Sequence, residues 1–415
     1  MKKFNKFLSV AVASAMVMAM AGCGNTDNGS AATGTNAATE SAAASDSAAS
    51  GSVFKIGGIG PTTGGAAVYG LAVQHGAEIA VEEINAAGGI NGYQVEFKFQ
   101  DDEADAEKSV NAYNALKDWG AQIIDGSTTS GACIAVTDKT KEDNMFQITP
   151  SGSAVECVQY DNNFRVCFSN PNQGLASAQY IGENGLAEKI AVIYDSSDVY
   201  SSGIYEKFAK EAENQPFEIV AAEAFTADNK TDFSVQLQKA KDAGADMVFL
   251  PIYYQESALI LTQAAAMGYA PKWFSCDGMD GILGGVDNFD VSLTEGVMLL
   301  TPFAADATDD LTQSFVTKYK EKYGDTPNQF AADSYDAIYV IKAAIEKSGV
   351  TPDMSVSDIC DGMKAAMTEI TVDGLTGSGM TWTADGEANK APKAVVIENG
   401  AYKACLLYTS PSPRD

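Results

Sequence analysis

The chain has 415 residues, 46% of them hydrophobic, and a formal net charge of −28 at pH 7. This length accommodates two domains of ordinary size, and the apolar content excludes a chain that is disordered throughout. The negative charge repels phosphate backbones and argues against nucleic-acid binding. The single histidine, His75, argues against His-dependent catalysis and against a multi-His metal site.

Residues 1–22 have the features of a signal peptide, with a basic start and an apolar stretch, Phe7–Met20, that is too short to span a bilayer. The stretch ends at Met20-Ala21-Gly22-Cys23, which resembles the lipobox of bacterial lipoproteins. This resemblance implies cleavage before Cys23 and a diacylglyceryl group on its sulfur; an ordinary secretory leader is the alternative. Residues 23–52 are mostly small and polar, which predicts a flexible tether.

The folded body opens with a predicted strand, Val53–Ile59, and a Gly/Thr-rich loop. Gly58 and Gly60 fit the first two glycines of a dinucleotide-binding fingerprint, but Thr63 stands at the third position, so we reject a dinucleotide cofactor. A helix and a strand with one buried face are predicted next. Asp101-Asp102 is then expected to cap a helix that runs to about Trp119.

The central stretch predicts one βαβ unit with two hydroxyl-rich loops. A short apolar run at 121–124 leads into the loop Gly126–Gly131 and a helix, and a second run at 145–148 leads into Thr149–Ser153. A right-handed parallel crossover places both loops beyond the carboxyl ends of their strands, where helix N-termini favour an anion. We interpret this edge as a site for a ligand carboxylate, although turn formation alone also explains serines in such loops.

The βα alternation resumes after this unit and predicts parallel sheets covered by helices. The expected strands are 189–194, 217–225, 247–250, 273–276 and 297–300, followed by a hairpin of 394–397 and 402–407 around Asn399-Gly400. The expected helices are 203–213, one starting at 232, 255–267, 310–323, 330–347 and 355–370. These are too many strands for one small sheet, so we expect two lobes.

Several motifs together resemble the branched-chain amino-acid-binding proteins, the substrate-binding components of ABC importers with a type I periplasmic-binding-protein fold. The motifs, spread over about residues 53–402, are Gly58-Ile-Gly-Pro-Thr-Thr-Gly64 with Tyr69-Gly70, Glu83–Gly92, Ile148-Thr149-Pro150-Ser151, Phe164-Arg165-Val166 and Gln173-Gly174.

The resemblance implies an α/β fold of two Rossmann-like, parallel-sheet lobes, joined by three crossings near Pro171, Leu300 and Gly374. Lobe 1 would comprise residues 53–171 and 301–374, and lobe 2 residues 172–300 and 375–408. Residues 409–415 break the pattern and are a tail of doubtful origin.

The resemblance also implies the ligand contacts in the cleft between the lobes. Ser130 would bind the ligand α-carboxylate, with Ser151 and Ser153 contributing from the next loop. Asp277 would receive the α-ammonium group, although relatives often carry the longer Glu there. Four aromatic residues would line the cleft: Tyr69, Tyr200, Tyr253 and Phe330.

These inferences predict a monomeric, membrane-tethered receptor outside the cytoplasm that hands a neutral L-amino acid to an ABC permease and its ATPase. No cofactor or metal is expected. A short amide, a urea-like solute or an aromatic acid remains an alternative ligand, and a ligand-sensing receptor domain an alternative role. An enzyme is disfavoured, because the sequence has no GxSxG elbow, no P-loop and no His partner for Ser or Cys.

The seven cysteines show no CxxC spacing and so suggest no zinc site. Cys157 and Cys167 could form a disulfide if the segments around them pair. Free, partly buried thiols are the preferred interpretation.

Overall fold

The structure is a computed structural model that describes residues 51–405. The predicted signal peptide, Cys23, most of the tether and the tail at 409–415 lie outside the described residues.

Sheet A consists of five parallel strands in the order β2-β1-β3-β4-β5. They are β1 (Phe54–Gly60), β2 (Val95–Asp101), β3 (Ile123–Asp125), β4 (Phe146–Thr149) and β5 (Asn163–Arg165). The order reverses between β1 and β3, and such a switch point forms a crevice beyond the carboxyl ends of the strands. The hydroxyl-rich loops after β3 and β4 lie at this edge.

Sheet B has seven strands in the order β12-β11-β10-β9-β8-β6-β7. They are β6 (Lys189–Asp195), β7 (Glu218–Phe225), β8 (Met247–Leu250), β9 (Lys272–Ser275), β10 (Met298–Thr301), β11 (Lys393–Glu398) and β12 (Ala401–Ala404). Strands β6 to β10 are parallel and repeat the order of sheet A, whereas β11 and β12 form the predicted hairpin at the edge. The hairpin turn has positive φ at both Asn399 and Gly400, as a two-residue type I′ turn requires.

Ten helices of the described chain cover these sheets. They are α1 (Ala67–Ala86), α2 (Ala106–Trp119), α3 (Ser130–Asp143), α4 (Asn170–Glu183), α5 (Val199–Ala212), α6 (Ser234–Asp242), α7 (Tyr254–Ala266), α8 (Asp310–Tyr323), α9 (Gln329–Ser348) and α10 (Val356–Met367). We call sheet A with α1–α3 and α8–α10 lobe A, and sheet B with α4–α7 lobe B. Within residues 51–405, no helix combines the length and apolar character that crossing a membrane demands.

Three segments join the lobes: residues 166–169, 302–309 and 368–392. The last of these contacts lobe A before it reaches β11, because Asp336 accepts the N–H groups of Leu375 and Thr376, and Trp382 donates to the carbonyl of Arg165. The lobe limits given above, including the division at residues 374 and 375, stay a prediction.

Most predicted elements match the structure within a few residues, but two expectations were wrong or incomplete. Asp105, and not Asp101-Asp102, caps α2 by accepting the N–H of Lys108. The reason is a tight turn with positive φ at Glu103 and Ala104, which delays the helix start. Strand β5 and helix α4 were not predicted as elements from the sequence. Cys157 and Cys167 are free thiols, as the preferred interpretation of the sequence predicted, and both are buried.

Candidate functional site

The loop between β3 and α3 presents hydroxyl groups to the space between the lobes. Thr129 precedes the first helical residue with extended backbone (φ −94°, ψ 150°), yet its side chain does not cap the helix. Its Oγ1 atom is buried and has no hydrogen-bond partner among the described residues. A buried hydroxyl without a partner is costly, so this group is available to a ligand.

Ser130, the first residue of α3, connects this loop to the one after β4. Its Oγ atom accepts the N–H groups of Ser153 and Ala154, both at 3.2 Å. A serine hydroxyl also carries one proton, and with its acceptor sites used that proton remains to be donated to an anion. Ser151 donates to the carbonyl of Thr128 at 2.6 Å, which ties the two loops together a second time.

Arg165 supports this edge from behind. Its guanidinium group is fully buried and donates to the carbonyls of Gly152, Ser153 and Ala154 at 3.3, 2.7 and 2.9 Å. The fork geometry of Arg suits several acceptors at once. It therefore holds the carbonyl side of the loop, while two of the loop's N–H groups point to Ser130.

Asp277 supplies a carboxyl group from the other lobe. It follows β9 in a short 3-10 turn and is only 4% exposed. Its Oδ1 atom accepts from the hydroxyl of Tyr200 at 2.7 Å, and its Oδ2 atom from Nε2 of Gln173 at 2.9 Å. Burial raises the pKa of Asp277 to about 7, although the hydrogen bond from Tyr200 acts to lower it. A cation beside this carboxylate would favour its ionised form.

Aromatic rings form the walls between these polar ends. The ring centroids of Tyr69 and Phe330 are 4.3 Å apart, and those of Tyr200 and Tyr253 are 5.0 Å apart and stacked. Tyr69 joins the two pairs through an edge contact with Tyr253 at 5.5 Å. Rings give such a site a rigid apolar surface with a small entropy cost.

These groups surround one small cavity between the lobes. It is lined by Tyr69, Thr128, Thr129, Ser130, Ser151, Tyr200, Tyr253, Asp277, Gly278 and Phe330.

The structure thus brings seven of the eight predicted ligand-binding residues to one cavity. Ser153 is buried next to it but is not among the lining residues, and its backbone N–H binds Ser130. Thr128, Thr129 and Gly278 line the cavity and were missed. Their positions in the sequence could have indicated them, because the two threonines precede Ser130 in a hydroxyl-rich loop and Gly278 follows Asp277.

Hydrogen bonds close the cavity by joining the two lobes directly. The Tyr69 hydroxyl on α1 donates to the carbonyl of Gly278 and accepts the N–H of Tyr254 at 3.2 Å. At the start of α9, the N–H of Gln329 donates to Oδ2 of Asp280, and its Nε2 donates to the carbonyl of Asp277, both at 2.9 Å. The lobes are therefore in contact around the site.

Comparison with known proteins gives a consistent result. The family profile of the periplasmic binding proteins matches residues 53–401. A Leu/Ile/Val-binding protein homolog of Brucella melitensis is 30% identical over 300 residues, which cover 72% of this chain and 80% of that protein. A leucine-, isoleucine-, valine-, threonine- and alanine-binding protein of Pseudomonas aeruginosa is 30% identical over 302 residues, 71% of this chain and 78% of that protein.

A solved structure extends the similarity to three dimensions. It is the branched-chain amino acid transporter substrate-binding protein LivJ of Streptococcus pneumoniae in complex with isoleucine. The TM-score is 0.77 at 28% identity, and the match covers 85% of this chain and 98% of that one.

Proposed function

This chain belongs to the periplasmic binding protein family, in the group of the Leu/Ile/Val-binding proteins, and we propose that it captures a branched-chain or other neutral L-amino acid between its lobes. It would then deliver this ligand to the permease of an ABC importer. The observation that carries the proposal is one cavity with anion-binding hydroxyls on lobe A and a carboxylate on lobe B.

A zwitterionic ligand matches this division of charge. The Thr129 hydroxyl has no partner among the described residues, and the Ser130 hydroxyl accepts two N–H groups but keeps its own proton to donate. Both hydroxyls can therefore bind the α-carboxylate, which the positive end of α3 also favours. Asp277 suits the α-ammonium group, and bonds between charged groups in a site shielded from water are the strong ones. The aromatic walls suit an aliphatic side chain.

The placement of the charges also supports closure on binding. A ligand that contacts both hydroxyls on lobe A and the carboxylate on lobe B binds the closed arrangement better than an open one. Such differential affinity is what shifts a two-state equilibrium.

The same proposal covers location and partners. The chain acts outside the cytoplasm as a monomer, anchored through a lipid on Cys23, with the ABC permease and ATPase subunits as its partners. Its role is binding and not catalysis. Metabolic labelling with an alkyne fatty acid tests the anchor: Cys23→Ala should abolish labelling, and equal labelling of the variant would refute the site.

Isothermal titration of the purified chain against a panel of amino acids, short amides, urea and aromatic acids tests the ligand class. We expect a neutral aliphatic L-amino acid to bind with a Kd of roughly 1 μM, about −8 kcal/mol. Binding of an amide or an aromatic acid without any response to amino acids would contradict the proposal.

A further inference from the structure

Gln173 is a fully buried residue in the first turn of α4, and it contacts Asp277 in two ways. Its Nε2–H donates to the Asp277 Oδ2 atom at 2.9 Å, and its Oε1 atom accepts the Asp277 backbone N–H at 3.4 Å. One carboxamide thus binds both the main chain and the side chain of the same aspartate. These two hydrogen bonds leave the side chains of Gln173 and Asp277 little freedom in their torsion angles.

Gln173 is not among the residues that line the cavity, so it lies behind the carboxylate and away from the ligand space. Tyr200 occupies the other oxygen, Oδ1, from α5. Each carboxylate oxygen has about two lone-pair sites, so each keeps one for a further donor. With Gln173 and Tyr200 on the protein side, the remaining sites are available to a ligand in the cavity.

The start of helix α4, which carries Gln173, contacts both lobes. Helix α4 begins directly after the first crossing, and the N–H of Asn170 donates to the carbonyl of Ser153 at 2.8 Å. A Cβ atom on the next residue, Gly174, would lie 2.4 Å from the carbonyl oxygen of Ile204, so glycine allows α4 to approach α5 closely. Gln173 therefore lies on a path of contacts from the loop that holds Ser130 to the carboxylate of Asp277.

We propose that Gln173 is the positioning residue of the cation half of the cavity, where it holds the Asp277 carboxylate in the orientation that meets the ammonium group of the ligand. This inference rests on the proposed function, because it assumes a ligand with an amine.

Gln173 also affects the ionisation of Asp277. The hydrogen bond from Gln173 is among the contacts that lower the pKa of Asp277, against the dominant effect of burial. The titratable groups that face or influence this carboxylate are Tyr200 on α5, Tyr253 before α7, Asp333 on α9, Cys167 in the first crossing and Cys276 after β9. Asp333 is paired with Lys390 at 2.8 Å. Loss of Gln173 should raise the pKa of Asp277 further, so an amine ligand should require a higher pH.

The test is a comparison of Gln173→Met with Gln236→Met. Methionine has similar length without the amide, and Gln236 is a buried glutamine on α6, outside the cavity lining. Titrations with leucine and with its des-amino analogue, 4-methylpentanoate, are made from about pH 5.5 to about pH 8.5.

We expect Gln173→Met to bind leucine about ten- to a hundred-fold more weakly at pH 7, since a hydrogen bond to a charged group is lost. The pH at which leucine affinity reaches half its maximum should also move upward. Affinity for 4-methylpentanoate should change less than about two-fold, and Gln236→Met should match wild type for both ligands.

Three results would overturn the inference. Unchanged leucine binding by Gln173→Met would show that Asp277 needs no such support. Equal losses for both ligands with an unshifted pH midpoint would indicate a merely structural role. Failure of the wild-type chain to bind leucine would remove the proposed function, and this inference with it. If Gln173→Met does not fold, Gln173→Asn takes its place, because the asparagine side chain is too short to make both bonds. It should give the same selective loss of leucine affinity and the same pH shift. A Gln173→Asn variant without these two effects would refute the inference.

Discussion

The hydroxyl of Tyr200 donates to Oδ1 of Asp277 at 2.7 Å and accepts the N–H of Gly278 at 2.8 Å. One phenol therefore binds both the acidic side chain and the backbone of the next residue. Tyr200 is at the same time a wall of the cavity, stacked on Tyr253. Its ring thus lines the cavity, whereas its hydroxyl binds the acidic residue.

Tyr200→Phe separates these two roles, because it keeps the ring and removes the hydroxyl. We expect leucine affinity to fall about ten-fold or more, since Oδ1 loses a donor and the charged form of Asp277 becomes less favourable. Tyr205→Phe on the same helix, whose ring stacks on Tyr194, is the matched control and should bind as wild type. Calorimetric titration measures both. Identical affinities for Tyr200→Phe and wild type would mean that the hydroxyl plays no part in binding.

Thr129→Val tests the anion half of the cavity. The Thr129 Oγ1 atom is buried without a partner, so its replacement by a methyl group should leave the free energy of unfolding unchanged or raise it by about 1 kcal/mol. Leucine affinity should nevertheless fall about three- to thirty-fold, because a bond to the carboxylate is lost.

Thr262→Val on α7, whose hydroxyl donates to a helix carbonyl, is the control and should leave leucine affinity unchanged. Chemical denaturation and titration give the two quantities. A stability loss in Thr129→Val with no change in affinity would reverse this assignment.

Asp280→Asn tests the contact that closes the lobes. Asp280 accepts the N–H of Gln329 at the positive end of α9, although the two residues belong to different lobes. Asparagine keeps an oxygen acceptor but removes the charge that the helix terminus favours, a change of about 0.3–1 kcal/mol and up to about 2 kcal/mol when buried.

We therefore expect leucine and 4-methylpentanoate to lose affinity by the same factor, about two- to ten-fold. Titration with both ligands checks this. A loss confined to leucine would mean that Asp280 contacts the ammonium group and does not act through closure.

Asp125→Asn tests the pH dependence of folding. Asp125 is fully buried at the end of β3, and Ser334 donates to its Oδ2 atom at 2.9 Å. Burial raises its pKa to about 7, whereas an unfolded aspartate has a pKa of about 3.9. Between these values the folded chain binds more protons than the unfolded one, so stability falls as pH rises, by at most about 1.4 kcal/mol per pH unit.

The wild-type, ligand-free chain should accordingly melt at a higher temperature at pH 5 than at pH 8. Asp125→Asn should make this slope shallower, since Asp277 still contributes to it, and should melt higher than wild type at pH 8. Asp373→Asn, an exposed aspartate whose pKa is lowered, should leave the slope between pH 5 and pH 8 in place. Melting curves of Asp125→Asn that still fall as steeply as those of wild type would contradict the assignment.

Local patterns were sufficient to predict most of the fold. Apolar runs that end in Gly, Ser or Thr predicted β3, α3 and β4, because buried parallel strands and helix starts leave strong signals. Strand β5 has only three residues, Asn163–Arg165, and two of them are polar. Its place in sheet A depends on the buried Arg165 and on the neighbouring strand, which no local pattern reveals.

The candidate site, like the fold, was predicted only in part from the sequence. The family resemblance named Ser130, Asp277 and the aromatic walls, because it implies which positions line the cleft. It gave no role to Gln173, although Gln173-Gly174 is one of the motifs, and none to Asp280; we propose that both act through other residues. Their partners are distant in the sequence, and only the fold brings the start of α4 to Asp277 and the start of α9 to Asp280.

The most direct test of the whole account is Asp277→Asn, titrated with leucine and with 4-methylpentanoate. Asparagine is nearly isosteric and removes a buried charge, so the ligand-free protein should be as stable as wild type or slightly more stable. Leucine should bind about ten- to a hundred-fold more weakly, because a charge-assisted bond to its ammonium group is lost. The des-amino analogue should be indifferent to the change. If Asp277→Asn binds leucine as tightly as wild type, Asp277 does not hold the ligand and the proposed site is wrong.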